Sequence, residues 1–252
     1  MTDDVAVRVA AIAAAIAALP DPVLFATDVD GTLSALVAEP EAAQLEAGAL
    51  DQLWFIALSG RTIAVISGRP MDDLVGQFGL PEEFVLIGSH GAEFQGPVEL
   101  TADEKLRLVD VKRIFHTALE SVPGAHIEHK PVAASFHVRG ADPSLADIAL
   151  ARVRLQLAGL PGVTVHEGHC VIEAAVRPSH KAAAMAALLD QERPASVVFL
   201  GDDAADERAF AALAAQDVPY VTVKVGEGAT LAGWRLPDPA AVVALLREVA
   251  AS

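Results

Sequence analysis

The sequence is poor in basic residues, in aromatic residues and in cysteine. Its 252 residues include 18 Lys and Arg against 34 Asp and Glu, which gives a formal net charge of −16. Such an excess of negative charge disfavours anionic partners, so we expect no association with nucleic acid or with an anionic membrane surface. Because aromatic residues make up only 5% of the chain, the hydrophobic core must be mainly aliphatic.

The single cysteine, Cys170, excludes a framework of intrachain disulfides. Its neighbours suggest a strand, and we expect a small buried side chain rather than a reactive thiol. The N-terminus lacks the basic start of a signal peptide, and no apolar stretch free of charges and breakers is long enough to span a bilayer. We therefore expect a soluble, cytoplasmic protein whose residues 1–20 form a helix capped by Thr2 or Asp3.

Short apolar segments alternate with helical segments over most of the chain. The apolar segments are rich in Val, Ile and Leu without polar alternation, as in parallel strands that are buried on both faces. This alternation predicts a doubly wound α/β core. The predicted strands are Val23–Asp28, Thr62–Ser67, Phe84–Gly88, Val197–Gly201 and Tyr220–Val225, and the predicted helices are Leu45–Ala57, Met71–Phe78, Lys181–Asp190, Asp206–Ala215 and Pro239–Ala250.

The middle of the chain has a different pattern, in which a helix and two alternating segments occur twice. This order predicts an α+β module with an antiparallel sheet, inserted between the third and fourth strands of the core. We place the core at residues 1–98 and 177–252 and the inserted domain at residues 99–176. The predicted elements of the insert are Ala102–Ser121, Ala125–Lys130, Ala133–Arg139, Pro143–Ala158, Val163–Glu167 and Cys170–Val176.

Two carboxylates, Asp28 and Asp30, follow the first predicted strand and precede Gly31, which permits a sharp turn. Side chains at the carboxyl ends of parallel strands line the crevice in which α/β proteins bind ligands. Two acids there repel each other unless a cation or a proton lies between them. One interpretation is an aspartyl nucleophile, an acid/base partner and a divalent metal; the other is a polar turn, since Asp-Gly is a common turn dipeptide.

The second and third strands also end in polar residues. Ser67 precedes Gly68 and Arg69, and its hydroxyl could donate to a phosphate oxygen or belong to an ordinary turn. His90 lies between glycines near the end of the third strand, and we favour ordering of the loop over catalysis for this residue.

Lys181 and Asp202 complete the set of isolated polar residues near predicted strand ends and helix starts. Lys181 begins an otherwise apolar helix, where a cation opposes the helix dipole, so it is either solvated or directed at an anion. Asp202 follows the fourth strand and precedes any capping position that we can assign, whereas the sequence leaves open whether Asp203 and Asp206 are helix caps or members of the site. Asp28, Asp202 and the carbonyl of Asp30 could together supply the oxygen ligands that Mg²⁺ requires.

Taken in chain order, residues 28–32 (DVDGT), Ser67, Lys181 and residues 201–203 (GDD) match the four motifs of the haloacid-dehalogenase-like phosphatase superfamily. More narrowly, the chain resembles the trehalose-6-phosphate phosphatase family. This resemblance extends over nearly all of the chain from residue 23 onward. It rests on residues 67–70 (SGRP), 88–93 (GSHGAE), 128–130 (EHK), 137–139 (HVR), 171–173 (VIE) and 201–207 (GDDAADE).

The resemblance implies a Mg²⁺-dependent hydrolase with a Rossmann-like parallel-sheet core and an inserted α+β cap domain. It implies that Asp28 is the nucleophile, that Asp30 is the general acid/base, and that Asp28, Asp30 and Asp202 hold the metal. The remaining implied roles are phosphate binding by Ser67 and Lys181 and substrate binding by Gly68, Arg69, His90, Glu128, Lys130, Arg139 and Glu173. We expect a monomer that acts on a small sugar phosphate.

The chain departs from the usual family pattern at Ala205, where Thr is usual, at Ala182, where Gly is usual, and at His180, where Asn is common. None of these changes removes a catalytic group, but they leave the exact sugar open. Three alternatives remain: a phosphatase for another sugar or pseudo-disaccharide phosphate, a phosphomutase, and a sugar-phosphate-binding module without activity.

Overall fold

The computed structural model of the chain describes residues 3–37, 39–94, 99–168, 170–177 and 180–251. It divides into two compact units, one formed by residues 1–96 and 180–252 and the other by residues 97–179. These limits lie two to three residues from those expected at residues 98 and 177. None of the helices in the described ranges combines the length and the hydropathy that a membrane-spanning helix requires.

The helices and strands alternate in the order expected, with antiparallel strands concentrated in the middle of the chain. Within the described ranges the strands are β1 (Val23–Thr27), β2 (Thr62–Ile66), β3 (Val85–Gly88), β4 (Glu93–Phe94), β5 (His126–His129), β6 (Ala133–His137), β7 (Thr164–Gly168), β8 (Val171–Ala175), β9 (Ser196–Gly201), β10 (Tyr220–Val225) and β11 (Trp234–Leu236). The helices are α1 (Asp3–Ala17), α2 (Ala49–Leu58), α3 (Met71–Gly76), α4 (Ala102–Leu119), α5 (Pro143–Leu157), α6 (Lys181–Glu192), α7 (Ala204–Ala214) and α8 (Pro239–Ala250).

The first unit is built on a seven-stranded sheet of order β11-β10-β9-β1-β2-β3-β4. All neighbouring pairs are parallel except β3 and β4, which are antiparallel. The prediction of a Rossmann-like α/β core is therefore confirmed. In the ladder Thr27 is paired with both Val65 and Leu200, so β1, β2 and β9 end at the same edge of the sheet.

Helices cover both faces of this sheet, which explains why its strands are uniformly apolar. Phe25 and Val198 pack on one face with α1, α2 and α8, whereas Leu24 and Phe199 pack on the other face with α6 and α7. Each such buried side chain contributes roughly 1.5–3 kcal/mol through loss of apolar surface to water. The rigid centre of the sheet thereby fixes the strand ends on which the polar residues lie.

The second unit has a four-stranded antiparallel sheet of order β5-β6-β8-β7. Helices α4 and α5 pack on one face of this sheet, around Phe115, Phe136 and Val153. On the opposite face the register aligns Glu128, Ser135, Glu173 and His166 in one row across all four strands. We call these four residues the polar row.

Several local expectations need correction. Helix α1 already includes Asp3, so Asp3 lies inside the helix rather than at its cap, and Thr2 lies outside the described residues. Helix α2 begins at Ala49 instead of Leu45, because Gly48 adopts a left-handed conformation with φ of 88°. Cys170 lies in the turn between β7 and β8 with φ of 63° and is half-buried, so the strand expected at this residue is wrong. The short strands β4 and β11 were not predicted at all.

Candidate active site

The first unit brings Asp28 and Asp202 together at the carboxyl edge of the parallel sheet. Asp28 directly follows β1, and its N–H donates to Leu200 O at the end of β9 (3.0 Å). Asp202 directly follows β9, and its carboxylate lies against Gly31, where a side-chain carbon would overlap it. Gly31 also has φ of 77°, so the turn after Asp30 requires glycine for two separate reasons.

Lys181 joins this pair of strand ends from the first residue of α6. Its Nζ lies 2.7 Å from Asp28 Oδ2 and 2.8 Å from Asp206 Oδ1, and its side chain is 1% exposed. The alternative of a solvated Lys181 is therefore wrong. A buried ammonium between two carboxylates is held firmly, because its loss would leave two buried carboxylates without a compensating charge.

Burial of several carboxylates close together shifts the pKa values in this cluster. Burial raises the pKa of Asp28 above its usual range, although Lys181 opposes the shift. Burial and then the neighbouring Asp206 raise the pKa of Asp202 as well. For Lys181, burial opposes the charged form, but Asp28 and Asp206 outweigh it and raise the pKa of the ammonium. Lys224, a second buried lysine, donates to Asp202 O and opposes the rise in the pKa of Asp202. The four acids Asp28, Asp202, Asp203 and Asp206 still outnumber the two lysines, which favours an additional cation.

Asp206 is a member of the site, a question that the sequence left open. Its Oδ2 accepts N–H groups from Asp202 (2.9 Å) and Asp203 (3.1 Å), while Oδ1 accepts from Lys181 (2.8 Å). Asp203 in turn caps α7 by accepting from the N–H of Asp206 (2.9 Å). Asp206 thus takes part in the capping box of α7 and also holds Lys181.

Carboxylate oxygens of Asp28, Asp202 and Asp206 all lie within 4.8 Å of one another. Carboxylates are hard oxygen ligands of the kind that Mg²⁺ and Ca²⁺ prefer. This cluster could therefore hold a metal ion, and it includes two of the three residues expected as ligands. The carboxylate of the third, Asp30, is directed elsewhere.

Asp30 forms a two-point ion pair with Arg69. Arg69 Nε donates to Asp30 Oδ2 and Nη2 donates to Oδ1, each at 2.7 Å. Arg69 Nη1 donates to Pro40 O (2.9 Å) and to Gln77 Oε1 (3.2 Å). Arg69 was expected to contact substrate, but these contacts direct its guanidinium toward other groups of the first unit.

Ser67 and Gly68 form a turn that is braced by the loop after β3. The buried Ser67 Oγ accepts the N–H of Arg69 (3.1 Å), and Ser67 O accepts the N–H of His90 (2.8 Å). The His90 ring packs so closely on Gly68 that a side-chain carbon at Gly68 would overlap it. His90 thus packs on the turn after β2, and its own main chain has φ of 56°.

The buried carboxylate of Glu93 was not identified from the sequence as a contributor to this region. It accepts the hydroxyl of Ser89 and the N–H of Met71 (3.2 Å), so it ties the loop after β3 to the start of α3. In the sequence Glu93 is marked only as the last residue of the motif at residues 88–93, which does not indicate this role.

The second unit brings three of the predicted sugar-contacting residues together. Lys130 Nζ lies 2.5 Å from Glu173 Oε2 and 3.8 Å from Glu128 Oε1. His137 lies 3.0 Å from Glu128, and this contact lowers the pKa of the Glu128 carboxyl. Ser135 Oγ donates to Glu173 (3.0 Å). His137, Ser135 and His166 also lie on this face, although the sequence did not identify them individually as site residues.

Arg139, also predicted to contact the sugar, is exposed two residues beyond the end of β6.

Comparisons with known proteins identify the family of this chain. A family model described as trehalose-phosphatase matches residues 26–240. Trehalose-6-phosphate phosphatase from Escherichia coli (strain K12) is 34% identical over 216 residues, covering 83% of this chain and 79% of that protein. Trehalose-phosphate phosphatase from Mycobacterium tuberculosis (strain ATCC 25618 / H37Rv) is 32% identical over 231 residues. That alignment covers 85% of this chain but only 58% of the mycobacterial protein.

Among solved structures, the C-terminal domain of C. albicans trehalose-6-phosphate phosphatase matches with a TM-score of 0.76 and 25% identity, over 96% of both chains.

Proposed function

Because this chain belongs to the trehalose-phosphatase family and is a phosphatase, we propose that it hydrolyses trehalose 6-phosphate to trehalose and inorganic phosphate. The observation that carries the proposal is the buried triad of Asp28, Lys181 and Asp206 at the carboxyl edge of the sheet. A lysine in this position can offset the charge of a phosphate dianion that approaches the Asp28 carboxylate.

In the first step of this mechanism an oxygen of Asp28 attacks the phosphorus atom in line with the leaving group. The new bond joins the Asp28 oxygen to phosphorus, and the bond from phosphorus to the sugar oxygen breaks. Asp30 gives a proton to that departing oxygen, so the sugar leaves as a neutral alcohol. The products of this step are the free sugar, an aspartyl phosphate on Asp28 and an ionised Asp30.

In the second step water hydrolyses the aspartyl phosphate. Asp30 takes a proton from the water as its oxygen bonds to phosphorus, and the bond to the Asp28 oxygen breaks. This releases inorganic phosphate and restores both Asp28 and the protonated Asp30. Ser67 is suited to donate to a phosphate oxygen, because its buried hydroxyl lies beside the turn N–H of Arg69.

The acidic cluster fits the Mg²⁺ ion that we propose as cofactor, because its ligands are hard oxygens whose mutual repulsion a cation would relieve. Asp28, Asp202 and the main-chain carbonyl of Asp30 would hold it. When bound, Mg²⁺ would neutralise charge on the phosphate group and polarise its oxygens. Asp206 serves this set by fixing the main chain at Asp202.

We further propose that the second unit, residues 99–176, recognises the sugar through Glu128, Lys130 and Glu173. Two carboxylates beside an ammonium supply both acceptors and donors for sugar hydroxyls. In this proposal Gly68, His90 and Arg139 also contact the substrate. The high negative charge supports an enzyme without nucleic-acid or membrane partners, and we propose that it acts as a cytoplasmic monomer.

A phosphate-release assay with Mg²⁺ across a panel of sugar phosphates tests the proposed function. The panel contains trehalose 6-phosphate, sucrose 6-phosphate and a mannosyl phosphate, each measured with and without EDTA. We expect the highest kcat/KM with trehalose 6-phosphate and loss of activity in EDTA. A higher value for another sugar would reassign the substrate, a rearranged sugar phosphate would indicate a mutase, and no release from any substrate would reject the proposal.

A further inference from the structure

The proposed reaction gives no role to the ion pair between Arg69 and Asp30, although this pair has a well-defined two-point geometry. Two donors of one guanidinium engage the two oxygens of one carboxylate at equal distances of 2.7 Å. This planar two-point geometry sets both the position and the orientation of the carboxylate, whereas a single hydrogen bond would allow it to rotate.

Arg69 is itself held from several directions. Pro40 O and Gln77 Oε1 accept from its Nη1, Asp73 lies 3.9 Å away, and the guanidinium carbon lies 5.1 Å from the centre of the Phe78 ring. The Arg69 side chain is 9% exposed, against 31% for Asp30. The guanidinium is therefore the buried, fixed partner, and Asp30 takes its geometry from Arg69.

We propose that Arg69 is a positioning residue for the acid/base carboxylate of Asp30 and not a ligand of the substrate. The inference rests on the proposed function, because it takes Asp30 as the acid/base. Arg69 uses one lone pair on each Asp30 oxygen. The second lone pair on one of the two oxygens then holds the single proton that passes to the sugar oxygen and is regained from water.

This role predicts an effect that depends on the leaving group. A sugar alkoxide is a poor leaving group and needs the proton from Asp30, whereas p-nitrophenolate leaves phosphorus without one. Disordering Asp30 should therefore slow formation of the aspartyl phosphate from a sugar phosphate but not from p-nitrophenyl phosphate. The second step needs Asp30 as a base with either substrate, so it should be slow with both.

The test is rapid-mixing and steady-state kinetics of Arg69→Met and Arg69→Lys on trehalose 6-phosphate and p-nitrophenyl phosphate. For Arg69→Met we expect kcat on trehalose 6-phosphate to fall by about a hundredfold, within the range for loss of general acid/base catalysis. With p-nitrophenyl phosphate we expect a burst of one nitrophenolate per site at the wild-type rate, followed by slow turnover. Arg69→Lys, which keeps the charge but not the two-point geometry, should show a smaller version of both effects.

Two further measurements separate positioning from substrate binding and from folding. Inhibition by inorganic phosphate should change by less than about twofold in Arg69→Met, since a positioning residue does not bind the phosphate. The double variant Arg69→Met, Asp30→Asn should be no slower than Asp30→Asn alone, because the two residues act as one unit. If Arg69→Met does not fold, by circular dichroism and thermal melting, the same measurements on Arg69→Lys decide the question.

Arg154 provides a matched control. It makes the same two-point contact with Glu167, through Nε and Nη2 at 2.6 Å each, on an exposed surface of the second unit. Arg154→Met should leave every kinetic value unchanged. A tenfold weaker inhibition by phosphate, additive losses in the double variant, or no burst with p-nitrophenyl phosphate would each overturn the proposal. Inactivity of the wild type on all sugar phosphates would instead reject the proposed function, and the p-nitrophenyl phosphate measurements would still report on Arg69.

Discussion

The two sheets of this protein carry their polar groups in different places. In the seven-stranded sheet both faces are covered by helices, so Asp28, Ser67 and Asp202 can occur only where strands end. In the four-stranded sheet helices α4 and α5 pack on one face, and the polar row extends across the other.

This difference separates two tasks that a phosphatase must perform. Groups at strand ends are anchored by a rigid, buried sheet, which suits chemistry that requires fixed geometry. Side chains spread over a sheet face offer many donors and acceptors at spacings of about 5 Å, which suits recognition of a polyhydroxylated surface. We therefore expect changes in the first unit to affect every phosphate ester and changes in the polar row to affect particular sugars.

The largest effect should come from Asp28→Asn, which keeps the shape of the side chain but removes the nucleophilic charge. We expect kcat to fall by ~10³-fold or more on both trehalose 6-phosphate and p-nitrophenyl phosphate, because covalent catalysis is lost for any ester. Steady-state phosphate release measures this, with Asp51→Asn, an exposed acid of α2, as the control. Near-normal turnover by Asp28→Asn would exclude this residue as nucleophile.

A smaller but equally general loss should follow from Lys181→Met. The variant removes the buried ammonium that offsets Asp28 and the phosphate, so we expect kcat/KM to fall by roughly a hundredfold on both substrates. Its melting temperature should also decrease, because two buried carboxylates lose their partner. Lys105→Met, at an exposed site on α4, is the control. If kcat/KM is unchanged, Lys181 has a purely structural role.

The contrast between the two sheets is tested most directly by Glu128→Ala and Glu173→Ala. We expect kcat/KM for trehalose 6-phosphate to fall by tens-fold, since contacts with the remote sugar stabilise the transition state only for substrates that carry it. Activity on p-nitrophenyl phosphate should stay within about twofold of wild type. Glu167→Ala, an exposed acid of β7, is the matched control. Equal losses on both substrates would contradict a role in sugar recognition.

The smallest effect concerns stability of the second unit. Glu104 accepts two hydrogen bonds from Arg177 and forms the capping box of α4 with Thr101. These hydrogen bonds lower the pKa of Glu104 to about 2, and the largest contribution comes from Arg177. A carboxyl with a lowered pKa stabilises the folded state fully above its unfolded pKa, near 4.5, and loses that contribution as the pH falls toward its folded pKa.

We therefore expect Glu104→Gln to lower the free energy of unfolding by about 1 kcal/mol at pH 7, because Gln can still complete the capping box but loses the ion pair with Arg177. The difference from wild type should decrease steadily between pH 4.5 and pH 3. Urea unfolding at pH 7, 4 and 3 measures it, with the exposed Glu120→Gln at the other end of α4 as the control. A difference that is independent of pH would contradict the assigned ion pair.

The same contrast explains what could be predicted from the sequence. Asp28, Ser67 and Asp202 each follow an apolar strand directly, so a local pattern was enough to place them at one edge of the sheet. The polar row could not be derived in this way, because it depends on the register of four antiparallel strands, which is set by contacts distant in sequence. Glu128, Lys130 and Glu173 were named mainly through a family resemblance.

Other features were hidden for different physical reasons. An acid in the first turn of a helix is usually a cap, so Asp206 gave no separate signal. The direction of the Arg69 guanidinium could not be derived, because a long side chain beside a strand end can reach several partners. Strands β4 and β11 contain only two and three residues, too few to form a detectable pattern.

Asp206 also bears on how this protein can evolve. A single carboxylate completes the capping box of α7, fixes the main chain at Asp202 and holds Lys181. The stability of α7 and the geometry of the site therefore depend on the same side chain. A substitution at Asp206 would change both together. Random mutagenesis should consequently yield few functional replacements at this position, and those few should arise only together with a compensating change at Lys181 or Asp203.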